Sequence, residues 1–266
     1  MSLKFGAITP HPPILIPAIG KENLEHLKDT IESFKHLNQK IIDEKIDTLI
    51  IISPHGPIKE EKFTINSNQN FEVDFEEFGD FATKLSFQGD TEIIKKIKAE
   101  QNKEMPIQFI NEEKIDHGCG VPLFYLNQNT PGIKIVPVYF TTSSLEDHLE
   151  FGNFLNKIIA KSENKIAVIA SGDLSHRLDK NAPAGYSAKG KKFDNKLIEL
   201  LKNKKTEEIL NMSENLINEA GECGLRSITI MLGMLDNLDY ETKILSYEGP
   251  FGVGYLVADF DIKKGG

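Results

Sequence analysis

The chain has no tryptophan, only two cysteines in 266 residues, and no surplus of positive charge. Each deficit closes a class of explanation. Two cysteines, Cys119 and Cys223, cannot form the disulfide framework of a small secreted domain, and a reducing cytoplasm is the expected compartment. A net charge of −9 disfavours a nucleic-acid partner, because phosphate binding needs a basic face. The lysine runs at Lys189–Lys192 and Lys202–Lys205 alternate with acidic neighbours and read as solvated helix faces. Long apolar runs are missing too: MSLKFGAI lacks the core of a signal peptide, and no stretch approaches a membrane span, so no membrane partner is expected.

What is there is ordinary for a globular protein, with 39% hydrophobic and 27% charged residues. Short apolar runs at Phe5–Thr9, Thr48–Ser53, Ile133–Phe140, Ile166–Ser171 and Gly254–Phe260 read as buried strands. Segments of helical periodicity lie between them. Asn23–Ile42 puts Leu24, Leu27, Ile31, Phe34, Leu37 and Ile41 near one face. Thr91–Ala99 is a short helix with Thr91 at its start, and Ser144–Lys161 opens on a Ser-x-x-Asp capping pattern. Gly190–Lys202, Thr206–Asn211 and Arg226–Asn237 complete the helices. Strands alternating with helices predict an α/β fold, a single domain over 1–266 with a central mixed β-sheet flanked by helices. The Thr-, Asn- and Phe-rich segment 62–87 reads as a hairpin or an insertion over that sheet.

The seven histidines sort by context. His26, His36 and His148 fall in amphipathic helices among charged neighbours and are expected on the surface. The other four follow apolar runs or sit in glycine-rich turns: His11 in TPHPP, His55 in SPHGP, His117 in IDHGCG and His176 in SGDLSH. Three prolines, Pro10, Pro12 and Pro13, restrain the backbone around His11. Ligand sites of open α/β sheets gather at the carboxyl ends of the strands, which gives histidines remote in sequence a route to one another. Two neutral imidazoles and one carboxylate suit non-haem Fe(II), with positions left for substrate and oxygen, and zinc accepts similar ligands. Glu222, in GECGLRS, is the candidate carboxylate.

The ordered set PHPP (10–13), SPHG (53–56), DHG (116–118), GDLSH (172–176) and ECG (222–224) resembles the class III extradiol ring-cleaving dioxygenases, the family of the protocatechuate 4,5-dioxygenase catalytic subunit. The resemblance implies that His11, His55 and Glu222 hold Fe(II), or zinc as purified. It implies that His176 is the acid/base near the substrate hydroxyls and that His117 lies close to substrate and oxygen. It further implies a small aromatic substrate of the catechol or aminophenol type, O2 as co-substrate, and assembly into a homo-oligomer. A second branch, the Memo-like proteins, uses the cysteine of a corresponding Cys-Gly at the metal site. Cys223 is the matching residue here, and this branch implies a metal-binding partner in a radical-enzyme-associated system with little ring cleavage. In that branch the domain also occurs fused to a companion domain, and none is expected after Lys264. Arg226 is a candidate for a substrate carboxylate or for a surface salt bridge, and Tyr186 for a pocket wall or for loop packing. GPFGVGY (249–255) lacks the Lys-Ser/Thr of a phosphate loop and reads as a turn near the site that leads into the last strand.

Overall fold

A computed structural model describes residues 2–101 and 105–263. Among the described residues ten strands lie in one mixed sheet: β1 (Leu3–Thr9), β2 (Thr48–Ser53), β3 (Phe63–Asn66), β4 (Asn70–Phe75), β5 (Asp80–Gly89), β6 (Ile107–Ile110), β7 (Lys134–Tyr139), β8 (Ile166–Ser171), β9 (Tyr240–Glu248) and β10 (Tyr255–Ile262). The α-helices among the described residues are α1 (Pro17–Gly20), α2 (Lys28–Glu44), α3 (Thr91–Glu100), α4 (His117–Leu126), α5 (Leu145–Ile159), α6 (Ala188–Lys202), α7 (Thr206–Leu210), α8 (Glu214–Ala220) and α9 (Leu225–Met234).

The sheet runs β4-β5-β7-β2-β8-β1-β10-β9, with β3 bridging β7 and β6 off this path. Its centre, β7-β2-β8-β1, is parallel, whereas β10 and β9 add antiparallel strands at one side. Parallel strands are covered on both faces, and this explains why TLIIIS and IAVIAS carry no polar alternation. On one face Phe5, Leu49, Ile51, Ile135 and Ile169 pack with Phe34, Leu37 and Ile41 of α2 and Val121 and Leu126 of α4. On the other, Ile8, Ile50, Ile52, Val136 and Val168 meet residues of α3, α5, α6 and α9. The expected α/β architecture with a flanked mixed sheet is therefore present.

Side-chain caps start several of the helices. Ser144 and Asp147 form a reciprocal capping box on α5. Helix α3 begins at Thr91 as expected, and the Asp90 carboxylate caps it by accepting the N–H groups of Glu92 and Ile93. Segment 62–87 forms β3 and the antiparallel β4–β5 pair, with β5 joining the parallel core through Gln88 and Gly89. His148 corrects an expectation. It is fully buried, not on the surface, because it shares the inner face of α5 with Phe151 and sets its ring edge-on to Phe63. His26 and His36 are exposed as expected.

Candidate metal centre and active site

Strands β1, β2 and β8 are neighbours, and their carboxyl ends deliver three of the singled-out segments to one place. Thr9, Ser53 and Ser171 end these strands, and His11, His55 and the 172–176 loop follow directly. His11 Nε2 lies 2.9 Å from His55 Nε2 and 3.7 Å from Cys223 Sγ. The ligand atoms of His11, His55 and Cys223 all fall within 4.8 Å of one another. His117, the first residue of α4, stacks on His55 with ring centroids 4.3 Å apart and stands edge-on to His11 at 5.7 Å. His176 Nδ1 is bonded to the Gly221 carbonyl at 2.7 Å, with Nε2 3.9 Å from Asp173 Oδ2.

Cys223 reaches His11 because two glycines allow two backbones to touch. A Cβ on Gly172 would lie 2.1 Å from the Gly224 Cα, so any side chain there would push the ECG turn away from β8. Across that contact the Asp173 carbonyl accepts the N–H groups of Cys223 and Gly224, and the Asp173 N–H points at Cys223 Sγ. The Asp173 carboxylate also accepts the His11 N–H at 3.0 Å. Asp173 thus ties together both sides of the group, although sequence reasoning singled it out only as part of GDLSH. Its one local signal was a carboxylate in a glycine-led turn just after a strand.

Glu222, the carboxylate expected as third ligand, stands elsewhere. Its Oε2 accepts the Leu225 N–H at 2.5 Å, at the first turn of α9, where the helix dipole also favours an acid. The sulfur of its neighbour takes the place beside the histidines. Arg226 is likewise outside the site, with its guanidinium over the Phe140 ring at 5.9 Å. Tyr186 is 57% exposed in its loop. The GPFGVGY turn does border the site loop, since Gly254 exchanges backbone bonds with Leu174 and Ser175.

Around the histidines, burial sets the protonation states. His11 is held well below the ordinary imidazole pKa by burial and then by repulsion from His55, His117 and His176. His117 is pushed down to about 4 by burial, with His55 adding to it. His55 and His176 are lowered for the same leading reason. Asp173 and Glu222 are each raised to about 7 by burial, and the Cys223 thiol is pushed up. Neutral imidazoles are the form that binds a metal, and a bound cation would draw the proton from Cys223. Metal–ligand bonds of about 2.0–2.3 Å let one ion span these nitrogen and sulfur spacings, so the donor set fits a single cation.

Second contacts orient the donors. Ser53 Oγ donates to Asp116 Oδ1 and accepts the His55 N–H, while Asp116 caps α4 through the Cys119 N–H. A cavity of about 570 Å³ opens beside His55 and His117, and Phe78 and Tyr139 form part of its wall. Phe78 stands edge-on to His117 at 5.0 Å. None of these wall residues carried a sequence signal, because they come from β7 and the turn between β4 and β5. Among the described residues no helix is long and apolar enough to cross a membrane.

Comparison with known proteins identifies the family and the fold. Protein CA_C1420 of Clostridium acetobutylicum is 32% identical over 97% of this chain, and the chain spans 57% of that longer protein. An Escherichia coli protein named 3,4-dihydroxyphenylacetate 2,3-dioxygenase is 24% identical, over 90% of this chain and 92% of its own length. The fold is shared with the uncharacterized protein JW3007 from Escherichia coli K12, at a TM-score of 0.67 and 14% identity, covering 96% of this chain and 99% of that one. The family described as the catalytic LigB subunit of aromatic ring-opening dioxygenase matches residues 6–258, and with that extent of match the chain belongs to it.

Proposed function

We propose that the chain is a single catalytic domain that opens the ring of a catechol- or aminophenol-type substrate with O2, around a metal held by His11, His55 and a third ligand from the ECG turn. The observation that carries this reading is the presence of two further neutral histidines, His117 and His176, at the same group of ligands. A site built only to hold a metal has no need of them. Fe(II) bound there would supply the redox chemistry that joins an aromatic diol to dioxygen, with zinc as the substitute ion on purification.

The chain's own residues supply the rest. Neutral His176 donates its Nδ1 proton to the Gly221 carbonyl, which leaves the Nε2 lone pair to take a proton from a substrate hydroxyl. The same Nε2, once protonated, can return that proton to a developing oxyanion. Its neighbour Asp173 would steady the charged imidazole at 3.9 Å. His117 closes the site towards the cavity and can donate a hydrogen bond to substrate or oxygen. Location in the cytoplasm and assembly into a homo-oligomer belong to the same reading.

A second reading rests on a specific observation. Cys223, not Glu222, contributes its donor atom to the group with His11 and His55. Thiolate favours softer ions than a carboxylate does, which fits a Memo-like metal-binding partner with little ring-cleaving activity. Anaerobic reconstitution with Fe(II), followed by oxygen uptake on a panel of catechols and aminophenols, separates the two. Uptake with a ring-opened product, lost in His176→Phe, supports the dioxygenase. Tight metal binding with no uptake on any ring supports the partner role.

A further inference from the structure

The cavity beside the histidines has an unbalanced wall. Four carboxylates, Asp74, Glu77, Glu112 and Asp116, face one ammonium, Lys114. Lys114 Nζ is already engaged by Asp74 Oδ2 at 2.9 Å, and Asp116 is occupied by Ser53 and the cap of α4. Glu77 and Glu112 are exposed, and although Lys114 also feels the charge of Glu77, one ammonium cannot balance four carboxylates. Of the two cations near the ECG turn, Arg226 lines a separate cavity with Ser143 and Ser213, and Arg177, packed on Gly221, is paired with Glu219. An anionic substituent entering beside His117 would therefore meet carboxylates and no free positive charge. Phe78, next to Glu77 in the chain and edge-on to His117, adds an aromatic ring to the same wall.

We infer that this cavity selects an aromatic diol or aminophenol whose side arm ends in a protonated amine, with Glu77 and Glu112 receiving the ammonium, and that it disfavours aryl carboxylates. The inference rests on the ring-opening reading for the diol, whereas the charge preference rests on the wall alone. One carboxylate near an ammonium at a partly solvated rim is worth roughly ten-fold in affinity.

The test is anaerobic calorimetry of the Fe(II)-loaded full chain with three matched probes: a catechol bearing an aminoethyl arm, its ethyl analogue and its carboxymethyl analogue. The aminoethyl probe is expected to bind about ten-fold tighter than the ethyl one and the carboxymethyl probe weakest, with the gap shrinking at high salt. Glu77→Gln and Glu112→Gln should each reduce the aminoethyl preference about three- to ten-fold and leave the ethyl probe unchanged. Glu77→Lys should invert the order. Equal affinities, a carboxymethyl probe that binds tightest, or no binding of any probe would overturn the inference. Oxygen uptake is read separately on the same samples. Charge-selective binding without uptake would sink the ring-opening reading and keep the selectivity, and uptake without selectivity would do the reverse.

Discussion

The Ser171 hydroxyl fixes which nitrogen of His11 is free. It lies 2.9 Å from His11 Nδ1 and donates its own hydrogen to the Gly118 carbonyl at 2.5 Å. With that hydrogen committed, the oxygen can only accept, so Nδ1 carries the ring proton and Nε2 presents its lone pair to His55 and Cys223. Ser171→Ala should leave a buried N–H and a carbonyl without partners. We expect a loss of about 1–3 kcal/mol of stability, and metal affinity weakened about 10- to 100-fold. Urea unfolding and a competitive metal titration would check both, and unchanged affinity would show that the tautomer is set elsewhere.

Cys223 and Glu222 make opposite predictions for the third ligand. Cys223→Ser should lower metal affinity strongly and remove any sulfur-to-metal absorption band of a Co(II)-loaded sample. Glu222→Gln keeps an oxygen to accept the Leu225 N–H and should leave that band in place. The reverse pattern would return the carboxylate to the metal. Titration of both variants followed by ultraviolet absorption decides between them.

Gly172 tests how the turn is held against the strand. Gly172→Ala would set a methyl group 2.1 Å from the Gly224 Cα, and neither partner is a side chain that can swing away. The expected cost is about 1–3 kcal/mol of stability, and metal binding should weaken by more than the loss of stability alone implies. A variant with normal metal affinity would show that Cys223 does not need the close approach.

A pH dependence follows from Asp194, away from the ligands. Burial raises its carboxyl from 3.8 to about 6, although the Tyr247 hydroxyl and the Ser175 N–H both donate to it. A group with a raised folded-state pKa contributes its full stability below the unfolded value and loses it as pH rises through about 6. Asp194→Asn cannot ionise. Its stability should therefore fall less than the parent's between about pH 4 and pH 7, by about 2–3 kcal/mol. Urea midpoints measured across that window would show the difference in slope, and parallel curves would contradict it.

Much of this molecule was legible in one dimension. TLIIIS and IAVIAS are central strands because a parallel strand covered on both faces must be apolar throughout, and the capping box of α5 is written in Ser144 and Asp147. Strand β9 was not legible, because YETKILSYE alternates weakly and most of it is only partly buried. His148 misled because its neighbours Asp147 and Leu149 do not reveal which side of α5 turns inward.

The sequence by itself determined the α/β order, the strand-end positions of His11, His55 and His176, and the family, since these depend on residue type and spacing along the chain. Tertiary structure alone decided that β1, β8 and β2 lie side by side, which turns separate strand ends into one site. It also decided that sulfur rather than carboxylate faces the histidines. Glu222 and Cys223 are adjacent and both can ligate, so only the contact of Gly172 with Gly224 and the cap on Leu225 determine which one points inward. The acidic wall of the cavity is likewise a product of folding, because Glu77 and Glu112 come together only when the β4–β5 turn packs beside the DHG segment.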